Sequence, residues 1–142
     1  MVLVGLPGSG KSTYAEKMSA PVLSSDSIRG LLADDPTDQT IHARVFATLR
    51  QMLRQRLELG RPVTFIDATN LTPRERRAYL RMGELYGAGV EAVFFDVPLA
   101  VCLERNRGRD RVVPADVVER MAAKLRAPTL EEGFDKVTGV GE

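Results

Sequence analysis

Apolar positions along the chain fall at two different spacings. Dense short runs at 2–4, 22–23, 63–67 and 90–96 read as buried strands, the first of them Met1-bounded and only three residues long. Between these runs the period lengthens to three and four, which predicts helices over 11–18, 26–32, 40–59 and 72–86. A further helix opens at Pro98, and Val117, Val118, Met121, Ala122 and Leu125 mark the apolar face of one more. The tail from Pro128 is weakly patterned, with 136–140 fit to serve as a closing edge strand.

Punctuation supports these boundaries. Gly60 and Gly87 follow the last periodic residues of two helices, as C-terminal glycines do. Thr72-Pro73-Arg74-Glu75 carries the pattern of a capping box with proline at the first helical position. The acidic stretch ADDPTDQ, 33–39, is a loop, and no repeat or linker interrupts the chain. Strands alternating with helices predict an α/β fold, a mostly parallel sheet flanked by helices, with 1–142 as one domain.

Composition narrows the class. At 142 residues and 44% hydrophobic, the chain is large enough to bury a core without disulfides or structural metal. No apolar run approaches the ~20 residues that cross a bilayer, and no charged-then-apolar leader opens the chain, so the expectation is a soluble cytoplasmic protein without a membrane partner. The lone Cys102 sits at the buried spacing of a helix and reads as a core residue. The net charge of +1 means that a polyanion would have to be gripped locally. Arginine supplies 16 of the 20 basic residues, and Arg105, Arg107, Arg109 and Arg111 alternate along one short segment.

The densest chemistry follows the first strand at once. GLPGSGKS, from Gly5 through Pro7, Gly8, Ser9 and Gly10 to Lys11 and Ser12 and then Thr13, is the G-x-x-x-x-G-K-S phosphate loop placed between a strand and a helix. Glycine lets the backbone turn its N–H groups inward where no side chain blocks a phosphate. Lys11 brings a compact charge to the β and γ phosphates, Ser12 brings a hydroxyl to Mg²⁺, and the helix N-terminus adds its dipole. These residues are the expected site of ATP or another NTP.

A loop of this kind supplies a donor and leaves the acceptor open. Asp26 in SSDSIRG follows the second strand and can take a hydroxyl proton, and Arg29, one turn later, can clamp a phosphate. The competing reading makes Ser25 or Asp26 a helix cap and Arg29 a solvated residue. Asp67 in VTFIDATN ends another buried strand at the same sheet edge and suits an ion or its waters, while Thr69 and Asn70 stand open between substrate contact and turn formation. Arg105 and Arg109 are four apart, which predicts a shared helical face and a mobile two-arginine cover for the transferring group; solubilising charge is the alternative. His42, the only histidine, and the basic 71–77 segment read as helix surface.

Taken together, GLPGSGKS, SSDSIRG, DATNLTPRERR and RNRGRDRVVPADVV, in that order and spacing, resemble the 5′-OH polynucleotide kinases. The likeness covers almost the whole chain and is strongest to the kinase module of bacterial RNA end-healing enzymes, through SSDSIRGLLADDPTDQT. It implies a P-loop phosphotransferase fold with an Arg-rich lid, acting on the 5′-OH end of RNA or DNA. Under that resemblance Lys11 and Ser12 bind phosphate and Mg²⁺, Asp26 is the base, and Arg29 holds the acceptor's 3′-side phosphate. Arg105 and Arg109 would clamp the donor, with Arg111 a further candidate, while Gln39 and Val117 would flank the terminal base. The resemblance also implies phosphatase and ligase activities, joined or as partners. A kinase of small molecules or nucleotide sugars, and a nucleotide-dependent switch, are the competing classes.

Overall fold

The computed structural model describes residues 1–109 and 113–141. Five parallel strands, β1 (Val2–Val4), β2 (Val22–Ser24), β3 (Phe65–Asp67), β4 (Glu91–Phe95) and β5 (Lys136–Val140), form one sheet in the order β2-β3-β1-β4-β5. Six helices connect them: α1 (Lys11–Met18), α2 (Ser25–Ala33), α3 (His42–Glu58), α4 (Pro73–Tyr86), α5 (Leu99–Arg107) and α6 (Ala115–Lys124). A short 3₁₀ turn, Leu130–Glu132, precedes β5. The expected α/β fold with a parallel sheet is the observed one.

The three residues of β1 show how the layers form. Side chains alternate across a strand, so Val2 and Val4 enter the core with Val45, Leu49 and Leu53 of α3 and Tyr79 and Met82 of α4. Leu3 enters the other core with Ala15, Phe65, Val93 and Phe95, where the Tyr14 ring meets Phe95 edge-on at 5.4 Å. All three are essentially inaccessible, which is why the run reads as continuously apolar. A third cluster, Leu6, Leu71, Val97 and Cys102, lies under the carboxyl edge. Cys102 is fully buried, as its spacing predicts.

Several boundaries differ from the pattern. Val63 is 43% exposed and outside β3, and the Arg56 guanidinium donates to its carbonyl at 2.9 Å and to the Thr64 hydroxyl at 2.8 Å. Met52 also points away from the core, 43% exposed. At the start of α4 Thr72 accepts from the Glu75 N–H, yet Glu75 accepts from the Leu71 N–H rather than from Thr72, so the box is offset by one residue. A complete reciprocal box occurs instead at Thr129 and Glu132, in the weakly patterned tail. The basic 71–77 segment is only partly surface. Arg76 is wholly buried, donating to both Glu132 carboxylate oxygens at 2.9 and 2.8 Å and to the carbonyls of Asn70 and Arg126. Among the described residues no helix is long and apolar enough to cross a membrane.

Candidate active site

Parallel register brings the chemistry to one edge. Leu3 pairs with Asp67 and Asp67 with Ser24, so the acid ending β3 stands beside the last residue of β2, and both lie one step from the glycine loop after β1. Open parallel sheets bind ligands at this carboxyl edge. The loop is tied to β3's exit by the Gly5 N–H, which donates to the Thr69 carbonyl at 3.1 Å. Gly8 and Gly10 have φ of 83° and 100°, and a Cβ on Gly8 would stand 2.6 Å from the Cys102 carbonyl oxygen. Only glycine serves there on both counts. Gly10 caps α1 without a side-chain hydrogen bond, which leaves the first turn's amides to an anion.

Lys11 is buried, and its Nζ donates to the carbonyls of Gly5 at 2.8 Å and Leu6 at 2.9 Å. Burial pushes its pKa down to about 8, against the opposing pull of Asp67 and Asp26 and with some help from Arg109. Ser12 donates its hydroxyl to Asp67 Oδ2 at 2.7 Å. That pair is an oxygen-only donor set, hard and partly anionic, and fits Mg²⁺, which takes one or two protein oxygens plus phosphate oxygens and water. Ser9, also buried, has a hydroxyl without a partner inside the loop, and Pro7 is buried beside it; Thr13 faces outward on α1.

Asp26 lies on the first turn of α2 with a half-exposed side chain, and Arg29 Nη1 stands 3.3 Å from its Oδ1. The capping alternative is resolved: Ser24, and neither Ser25 nor Asp26, caps α2 by accepting from the Ser27 N–H. Nor is Arg29 solvated. It is 4% exposed, its Nη2 meets His42 Nδ1 at 3.3 Å, and its Nε is buried without a partner. A guanidinium has no acceptor lone pair, so in this contact the Arg29 Nη2 donates and His42 Nδ1 accepts. His42 thus joins the site from the start of α3, a link that no spacing in the sequence signals.

One cleft of roughly 540 Å³ is lined by Ser12, Ser24, Asp26, Asp67 and Arg109 together with Glu16 of α1 and small or apolar residues of α1, β2, α2 and the loop after α2. Arg109 does not share a helical face with Arg105, because α5 ends at Arg107 and Gly108 caps it; a turn from the Arg109 N–H to the Asn106 carbonyl carries Arg109 on instead. Arg105 Nη1 comes within 4.0 Å of where a Cβ on Gly10 would stand, over the glycine loop. Arg107 points elsewhere, to Glu104 at 2.9 Å. Arg111 lies outside the described residues.

Four of the expected contacts, those of Thr69, Asn70, Gln39 and Val117, are not among the residues lining the cleft, and Arg29 reaches it only through its pair with Asp26. Asn70, at φ 48°, is buried and donates its amide to the carbonyls of Leu3 and Ala68, so it fastens the β3 exit to β1 rather than facing a substrate. Gln39, exposed and donating to the Thr37 carbonyl, and Val117 on α6 are not among the residues lining the cleft. What the pattern missed includes Asn106, buried and bonded to both backbone groups of Val113; an asparagine at a helix end was its only signal.

Residues 1–128 match the model of the AAA_33 family, described as an AAA domain. The chain belongs to that family. Together with its parallel sheet and glycine loop, this makes it a P-loop domain of the AAA_33 type. Among curated proteins it is 28% identical over 144 residues to the transcription factor bHLH140 of Arabidopsis thaliana, and 21% identical over 142 residues to the L-seryl-tRNA(Sec) kinase of Methanococcus maripaludis. These alignments take in 96% and 95% of this chain but only 15% and 55% of those relatives, so the AAA_33 domain spans a fraction of either. Among solved structures, a kinase-like protein of Chloroflexus aurantiacus superposes with a TM-score of 0.76 at 18% identity, covering 99% of this chain and 82% of that one. A chain of the Pnkp1/Rnl/Hen1 RNA repair complex gives 0.74 at 24% identity, over 94% and 45%. A gluconokinase of Sinorhizobium meliloti gives 0.63 at 21%, over 99% and 80%.

Proposed function

We propose that the AAA_33 domain transfers the γ phosphate of ATP or another NTP to the 5′-hydroxyl end of RNA or DNA. The observation that carries this reading is a single cleft lined by the donor-side pair Ser12 and Asp67, by Asp26, and by Arg109, with the Arg29 guanidinium fork paired to Asp26. A hydroxyl entering beside Asp26 meets a carboxylate that can accept its proton. Its oxygen forms a bond to the γ phosphorus as the bond to the β–γ bridging oxygen breaks, the proton passes to Asp26, and the nucleoside diphosphate leaves. Ser12 and Asp67 would hold Mg²⁺, which neutralises phosphate charge when bound. Lys11, Arg105 and Arg109 supply the remaining positive charge, and Arg29 holds a phosphate of the acceptor through its fork.

RNA appears in two of these names, the L-seryl-tRNA(Sec) kinase, whose name puts the acceptor hydroxyl on a seryl group, and the RNA repair complex, which supports a polynucleotide acceptor. The gluconokinase likeness favours a second reading, a small-molecule acceptor such as a sugar or nucleotide sugar. Labelled ATP offered with a 5′-OH oligonucleotide, its 5′-phosphorylated twin, a free nucleoside and a nucleotide sugar separates them. Label in the first alone is the expected result. Label in the sugar overturns the polynucleotide reading, and label released only as inorganic phosphate assigns a switch.

A further inference from the structure

We propose that Asn106 is the positioning residue of Arg109: its side-chain amide clamps both backbone groups of Val113, beyond the end of α5, and so holds Arg109 in the cleft beside the Arg105 that α5 itself carries over the glycine loop. The inference rests on the reading above, in which Arg105 and Arg109 meet the donor phosphates. Asn106 is 3% exposed on the last turn of α5. Its Oδ1 accepts from the Val113 N–H at 3.1 Å while its Nδ2 donates to the Val113 carbonyl, joining positions seven apart in the chain. Both hydrogen-bonding groups of one peptide-flanked residue are thereby satisfied by a single planar amide, a match that aspartate, with two acceptors and no donor, cannot make.

The clamp stands where it can transmit position. The α5 backbone packs directly on the phosphate loop, since a Cβ on Gly8 would meet the Cys102 carbonyl at 2.6 Å and the Asn106 N at 3.5 Å. Arg105 precedes Asn106, and the Arg109 N–H donates to the Asn106 carbonyl at 3.2 Å. One residue therefore anchors the base of both arginines through its main chain and the far end of the segment through its side chain. Without the side-chain clamp Arg109, beyond the end of α5, would be held by its main chain alone, and a misplacement of about 1 Å at a reacting group can cost about 100-fold in rate.

The test compares Asn106→Ala and the near-isosteric Asn106→Asp with Arg105→Ala and Arg109→Ala, and with the Asn106→Ala/Arg109→Ala double variant. Both Asn106 variants should lower kcat for phosphoryl transfer about 30-fold to 100-fold with the acceptor KM unchanged. In the Asn106→Ala background the further loss of Arg109 should matter little, because the arginine is already misplaced. Trypsin should cut after the exposed Arg107 at least about 10-fold faster in both Asn106 variants than in wild type, at equal Tm. Additive losses in the double variant, or equal cleavage rates, overturn the clamp. Arginine variants that transfer as well as wild type overturn the donor reading of the two arginines, and the cleavage rates still decide whether Asn106 clamps Val113.

Discussion

Arg29 Nη1 stands 3.3 Å from Asp26 Oδ1, the arginine 5% and the aspartate 49% exposed at the side chain. The pair is therefore asymmetric: the cation is buried behind the cleft, and the carboxylate lines it, where it can accept a proton from an entering hydroxyl. Asp26→Asn keeps the size and removes the base. It should cut transfer by about 100-fold or more, within the range that a positioned general base contributes, while NTP binding holds within about twofold. Label transfer and equilibrium titration with a non-hydrolysable NTP measure the two effects, and turnover within about threefold of wild type would take the base role away from Asp26.

The same asymmetry predicts a different signature for Arg29. Its guanidinium offers Nη1 to Asp26, Nη2 to His42 and a buried Nε without a partner, so a bound phosphate would find a fork already oriented from two sides. Arg29→Lys should raise the acceptor KM about 10-fold while leaving the ATP KM within about twofold, because one ammonium cannot replace a planar fork. A rise confined to the ATP KM would move Arg29 to the donor side.

Lys11 gives the pH dependence. Its folded pKa of about 8 lies below the ordinary 10.5, with burial as the main cause. Between these values the unfolded chain holds more protons than the folded one, so Lys11 makes the ligand-free domain more stable as pH rises from 8 towards 10.5. A bound phosphate favours the charged ammonium and reverses the shift. NTP binding at pH 8 should then take up about half a proton, and affinity should fall as pH rises beyond that point. Titration calorimetry in two buffers of different ionisation enthalpy reads the uptake directly; none between pH 7 and 9.5 would mean that Lys11 is already fully charged in the empty loop.

What the sequence made legible follows from the reach of its signals. The strand at 2–4, the glycine loop and the helix after it are adjacent in the chain, and each glycine answers a local constraint: a positive φ at Gly8 and Gly10, and a carbonyl against Gly8. Asp67 was legible as the polar end of a buried run, although only parallel register puts it beside Ser24. Side-chain pairings over long separations left no such trace. Arginine on a helix reads as solvent-facing, yet Arg76 meets Glu132 fifty-six positions away, and the only hint was the T-x-x-E pattern at 129–132. Apolar content alone cannot show that Val63 leaves the strand with its carbonyl taken by Arg56. The contacts transferred to Gln39 and Val117 came from resemblance rather than from spacing, and neither residue lines the cleft.

The Arg76 hub makes the last prediction, one that separates scaffold from chemistry. Arg76 is fully buried and its guanidinium serves four acceptors, both oxygens of Glu132 and the carbonyls of Asn70 and Arg126. Glu132 is 11% exposed at the side chain and also accepts from the Thr129 N–H, so the pair joins α4, the β3 exit, the segment after α6 and the 3₁₀ turn before β5. Removing the arginine strands a carboxylate and two carbonyls in a place water barely reaches, which for a buried pair costs about 3 to 5 kcal/mol. Lysine keeps the charge but offers one ammonium to four dispersed acceptors, so it should recover less than half of the loss. Arg76→Ala should lower Tm by about 10 °C or more, and Arg76→Lys by an intermediate amount. Below its own Tm each variant should keep the wild-type KM for ATP and acceptor, since none of the side-chain hydrogen-bond partners of Arg76 lines the cleft. Denaturant melts and steady-state kinetics on the same samples test both halves, and a changed KM at unchanged Tm would place Arg76 in the chemistry instead of beneath it.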